Sequence, residues 1–105
     1  MPMIDLEKLT EGRVRNLTGH ERGVEARRTF GLDAYDAGSE PIDVRVPDNL
    51  EAITGSFFQG MFAQSVRVAD GDFLERYRFH ASPAIMEQVL RGIEKVNTKR
   101  GMALA

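Results

Sequence analysis

Apolar and polar residues alternate over two short stretches near the start of the chain, Met3-Ile4-Asp5-Leu6 and Arg13-Val14-Arg15, separated by Thr10-Glu11-Gly12. Alternation places successive side chains on opposite faces of a strand, so the two stretches predict an opening β-hairpin. The period then changes. Thr18 followed by Glu21 matches a capping box, in which each side chain bonds a backbone N–H that the first helical turn leaves without a partner. The helix it opens is predicted to reach Ala34, with Ala26, Phe30 and Ala34 on one face. Gly23 and Gly31 inside it each cost about 1 kcal/mol relative to alanine, which tertiary packing has to offset.

Ala37-Gly38-Ser39-Glu40-Pro41 reads as a loop, and Ile42-Asp43-Val44-Arg45-Val46 behind it is the clearest strand in the chain. Pro47 and Asp48-Asn49 end that strand. Ser56 is the predicted N-cap of a second helix, in which Phe58, Met61, Phe62, Ser65, Val66 and Ala69 recur at helical spacing. Asp70-Gly71-Asp72 is a turn that lacks the later carboxylates of a calcium loop. Glu75-Arg76-Tyr77-Arg78-Phe79 alternates again as a strand. Ser82-Pro83 then opens a last helix with Ile85, Met86, Val89, Leu90, Ile93 and Val96 on its apolar face. Lys95, Lys99 and Arg100 suit its C-terminal end, and Gly101 is the predicted stop.

The predicted order is β-β-α-β-α-β-α, an α/β fold. Strands separated by helices need crossovers and so a largely parallel inner sheet within a mixed one. A sheet covered on both faces has continuously apolar strands, yet both good strands alternate. Helices are therefore expected on one side only, with Asp43, Arg45, Arg76 and Arg78 lining an uncovered polar face.

Composition narrows the class. The chain of 105 residues is 42% apolar and 29% charged and suits one domain, residues 1–105, with an ordinary core. It has no cysteine, so disulfides and thiolate metal sites are excluded. No apolar run approaches the roughly 18 residues of a membrane span. Asp5 and Glu7 break the basic-then-apolar order of a signal peptide, so the cytoplasm is the expected location. A net charge of −2 with interspersed signs argues against a nucleic-acid partner.

Three stretches carry a family likeness: Gly12-Arg13, then His20-Glu21-Arg22-Gly23-Val24-Glu25-Ala26-Arg27, then Thr54-Gly55-Ser56-Phe57-Phe58 with its continuation to Val66. Together they resemble the STAS-like domains of bacteria, a group of unknown function related to anti-sigma-factor antagonists. The resemblance implies a mixed sheet with helices stacked on one face and a non-catalytic role in protein–protein interaction. It also implies a partner of the ATPase-fold kinase or sensor class and a phosphorylated serine at the start of the second helix. Ser56 is the matching position, and Thr54, Gly55, Ser56 and Phe57 are the matching partner-binding segment. The chain departs from the phosphorylated motif at Gly55, where an aspartate is usual, and carries Gln59-Gly60 where relatives often have an acid.

Plainer readings stand beside these. Ser56 also reads, more simply, as a plain helix cap, and Phe57 either as an exposed anchor for a partner or as packing against a loop. His20 and His80 lie on different elements without ligand spacing, so no metal is expected. Glu21 and Glu25 share a helix face but have no accompanying nucleophile. There is no phosphate-binding glycine loop and no Gly-x-Ser-x-Gly elbow, so neither an enzyme nor a cofactor is expected. Two alternatives remain: a nucleic-acid accessory protein using Arg27, Arg28, Arg45, Arg76 and Arg78, or a self-associating homo-oligomeric subunit.

Overall fold

The Ile42–Arg45 segment is the central strand of a three-stranded parallel sheet in the computed structural model, which describes residues 2–104 and side chains through residue 98. In chain order the elements are β1 (Met3–Asp5), α1 (Glu7–Thr10), β2 (Asn16–Leu17), α2 (His20–Phe30), α3 (Leu32–Ala37) and β3 (Ile42–Arg45). They continue with β4 (Ala52–Ile53), α4 (Gly55–Ala69), α5 (Phe73–Arg76), β5 (Tyr77–His80) and α6 (Pro83–Leu104). The main sheet runs β1-β3-β5, a second sheet pairs β2 with β4, and all these pairs are parallel.

Register explains the alternation. Ile4, Val44 and Phe79 form one cross-strand row, Ile42 lies beside Tyr77, and all five point toward the helices. On the other face Asp5, Arg45 and His80 form one row and Met3, Asp43 and Arg78 the next. Arg45, Arg78 and His80 are exposed there, so the polar face expected from the sequence is present. Arg76 is not part of it.

α4 packs between α2 and α6, and its Phe62 ring lies 5.3 Å from Phe79 and 5.8 Å from Tyr77. Burial of rings in edge-to-face contact ties the helix layer to the sheet. Gly23 and Gly60 allow α2 and α4 to meet backbone to backbone, so the glycine that weakens α2 as an isolated helix is what lets it pack.

Several expectations are corrected. The opening hairpin does not form, because Asp5 Oδ1 accepts the Glu7 N–H at 3.0 Å and the chain turns into α1. That frees β1 to pair with β3, which brings Ile4 beside Val44 in the core. The second strand lies at Asn16–Leu17 and not at Arg13–Arg15, and its parallel partner β4 was not predicted. No antiparallel pair occurs among the described residues, so the sheet is not mixed.

The Thr18–Glu21 capping box is absent. α2 starts at His20 behind Gly19, which holds φ 90 and makes no side-chain cap. The helix also ends earlier than expected, at Gly31 with φ 67, and Ala34 lies exposed in α3. Glu75 and Arg76 belong to the helical turn α5, which turns Phe73 into the core 5.2 Å from Tyr77. Ser82 caps the last helix as expected, accepting the Ile85 N–H at 3.3 Å. That helix continues past Gly101 to Leu104, while the side chains of Lys99 and Arg100 lie outside the described residues.

Candidate functional site at the start of α4

Two parallel strands deliver the site. β2 and β4 lie side by side, and each leads within two residues into a long helix, α2 from Leu17 and α4 from Ile53. Thr54 locks this junction. Its N–H donates to Leu17 O at 2.9 Å, its hydroxyl donates to the same oxygen at 3.3 Å, and Oγ1 accepts the Phe57 N–H at 3.3 Å. From α6, Gln88 Oε1 accepts the Ile53 N–H at 2.6 Å.

Thr54 is therefore the cap, and Ser56 is not. Ser56 is the second residue of α4, exposed, with Oγ 3.3 Å from Thr54 Oγ1. The prediction missed by two positions because Thr54 and Ser56 are both good cap residues, and only the contact with Leu17 decides between them. Gly55 is exposed, and a Cβ placed on it meets nothing within 4 Å.

Phe57 is 2% exposed, which overturns its reading as an exposed anchor for a partner. α4 has helices on both flanks, so its buried arc is wider than a single stripe and takes in Phe57 as well as Phe58. With Leu9, Val14, Leu17 and Ala26, Phe57 lines a pocket of about 250 Å³ on the α2 side. The exposed part of the predicted segment is thus Thr54 in part, Gly55 and Ser56.

Ser56 also borders an open groove of about 450 Å³ along α4. Its lining includes Val24, Gly60 and Ala63, with His20 and the two cations Arg67 and Lys95. The reading of the sequence missed this groove. Its signal was the spacing Ser56, Gly60, Ala63 and Arg67, which places one polar or small residue per turn along α4.

The arginines expected to act together are dispersed. Arg27 is drawn inward: Nη1 donates to Ser65 Oγ at 2.9 Å and to Met61 O at 3.0 Å, and Nη2 pairs with Asp33 and Asp36. Burial by itself lowers the guanidinium pKa, but the hydrogen bonds it donates to Asp36 and Asp33 outweigh that and the net direction is up. Ser65 and Tyr77 complete the cluster, donating to Asp36 at 3.0 and 2.6 Å. Burial, then the bond to Asp36, pushes the Tyr77 phenol well above its ordinary 10.0. No buried side-chain polar atom among the described residues lacks a partner, so this cluster has the character of a structural brace.

Arg45 pairs with Asp5 at 3.0 Å, and Arg76 donates to Tyr35 O at 2.7 Å and Glu40 O at 3.2 Å. Only Arg28 and Arg78 of the five stay exposed without an ion pair among the described residues, and they lie on α2 and β5. His80 Nε2 lies 2.9 Å from Asp43 Oδ1 on the open sheet face, and His20 starts α2. Asp70 and Gly71 form a left-handed turn at φ 47 and 101. Among the described residues no helix is long and apolar enough to cross a membrane.

No protein-family model, no curated protein and no solved structure matches the chain.

Proposed function

We propose that the chain is a STAS-like regulatory domain of the cytoplasm that docks on a protein partner through the start of α4. Ser56 is the phospho-acceptor that switches this contact, and the partner class is an ATPase-fold kinase or sensor, as the sequence resemblance implies. The observation that carries the reading is the exposed Ser56 hydroxyl at the second residue of α4, in a helix already capped by Thr54. The capping bond to the Phe57 N–H comes from Thr54 and the Ser56 hydroxyl is exposed, which supports its availability for modification.

Phosphoryl transfer from ATP on the partner forms the Oγ–P bond, releases ADP and passes the serine proton to the kinase. A phosphate there carries about −1.5 to −2 charges beside backbone N–H groups that favour an anion. It stays with the folded domain while its charge and bulk oppose a partner surface that fits the bare serine.

The test is affinity capture from the native cell with wild type and Ser56→Asp as paired baits, together with phosphosite mapping of the endogenous chain. The expected result is a kinase-like or sensor partner held by wild type and lost with the aspartate. Identical partners for both baits, with Ser56 unmodified, would remove the switch.

A further inference from the structure

The groove beside Ser56 differs from the rest of this surface in its charge. The chain has more acidic residues than basic ones, 16 against 14, yet no carboxylate lines the groove, while Arg67 and Lys95 both do. Neither makes an ion pair or hydrogen bond among the described residues, and His20 at the opposite wall is equally unengaged. Arg15, Arg27, Arg45 and Arg91 are paired with carboxylates, and Arg22, Arg28, Arg76 and Arg78, which are not, line pockets that also carry a carboxylate. The two cations along the groove are left for something outside the chain.

The shape adds to this. Ala63 has a small side chain, Gly60 brings α2 close against α4, and Val24 adds an apolar side chain to the lining. The exposed Gln64 amide can both donate and accept, as the backbone of an extended peptide requires. Tracking a nucleic-acid backbone takes a longer run of cations than two. We infer that this groove between α2, α4 and α6 is a docking site for an acidic, extended segment of a protein partner.

The inference deepens the docking role of the α4 start and rests on it. It also gives the Ser56 switch a physical route. A negative charge on Ser56 would stand at one end of the groove, about 16 Å along α4 from Arg67, and would repel an acidic segment lying in it. Loss of binding then follows from like-charge repulsion as well as from bulk.

The experiment uses the full chain, isotopically labelled for amide NMR, titrated with a short synthetic peptide of alternating glutamate and alanine. A glutamine–alanine peptide, inorganic phosphate and a short single-stranded oligonucleotide serve as competing probes. The acidic peptide is expected to shift amides of His20, Gln64, Arg67 and Lys95, and the neutral peptide is not. The affinity should fall at least about tenfold in the Arg67→Glu/Lys95→Glu double variant, and should weaken steeply with added salt because the charges are exposed. Arg67→Gln/Lys95→Gln should lie between wild type and the reversal, and it guards against misfolding of the latter.

Shifts elsewhere, no shifts at millimolar peptide, or equal binding by the reversed variant would overturn the proposal. Tighter binding of the oligonucleotide at the same residues, or equal shifts with inorganic phosphate, would also overturn it. Failure of the docking role itself is separable: native partners retained by Ser56→Asp would sink that role. Partners lost with Ser56→Asp but kept by the charge-reversed variant would sink only the acidic segment.

Discussion

Gly23 of α2 and Gly60 of α4 share one close helix crossing, where a Cβ on Gly23 would stand 3.1 Å from Gly60 Cα. A Cβ on Gly23 would stand 2.2 Å from Phe57 O, and one on Gly60 would stand 2.2 Å from His20 O. Both obstacles are backbone atoms of a helix, which cannot swing aside as a flexible side chain can. Helix propensity alone favours alanine at either site by about 1 kcal/mol. The crossing reverses that sign: Gly23→Ala or Gly60→Ala should destabilise by about 1–3 kcal/mol or more through overpacking. Gly55→Ala, which meets nothing, should change stability by less than about 1 kcal/mol and in the stabilising direction. Urea unfolding midpoints of the three variants check this, and a stabilised Gly60→Ala would refute the close crossing.

The position of the helix cap makes a second prediction. Thr54→Ala removes the acceptor for the Phe57 N–H and the bond to Leu17 O, and should cost about 1 kcal/mol, within a range of 0.5–2. Ser56→Ala should cost less than about 0.5 kcal/mol, as expected for an exposed site away from such features. The opposite order would return the cap to Ser56 and remove the support for its availability to a kinase.

The Asp36 cluster predicts an alkaline instability. The folded state raises the Tyr77 pKa, so above about pH 10 the unfolded chain loses a proton that the native state keeps. Stability from this group is complete below the ordinary phenol value and falls as pH rises beyond it, by at most about 1.4 kcal/mol per pH unit. Tyr77→Phe should flatten that fall. Unfolding midpoints of both proteins between neutral pH and pH 11 read the difference.

Asp36 itself is the more severe target. Its side chain is 8% exposed and it faces Arg27 at 12%, so Asp36→Ala removes the buried one of that cation's two carboxylate partners and leaves the exposed Asp33. The expected loss is about 3–5 kcal/mol, the range found when one member of a buried pair is removed. A loss below about 1 kcal/mol would place the pair with surface ion pairs.

Much of this fold was written locally. Ile42–Arg45 and the helix opened by Ser82-Pro83 carry their period and punctuation in a few adjacent residues, and both appear where expected. What failed depended on distant partners. Thr54 outranks Ser56 because Leu17 O lies within its reach, and Arg13–Val14–Arg15 yields to Asn16–Leu17 because β4 pairs there. Gly23 looked like a defect until Gly60 was opposite it. Phe57 could be read either way because a single stripe assumes one buried side, whereas α4 has neighbours on two. The groove was least legible, since His20, Ser56, Arg67 and Lys95 come from three helices.

Negative charge at Ser56 should abolish docking without disturbing the fold. Titration calorimetry of the captured partner against wild type and Ser56→Asp, with unfolding midpoints measured on the same samples, reads both at once. Equal midpoints within about 0.5 kcal/mol and an affinity at least about tenfold lower for the aspartate are expected. Equal affinities with equal midpoints would contradict this and leave Ser56 an ordinary surface residue of α4.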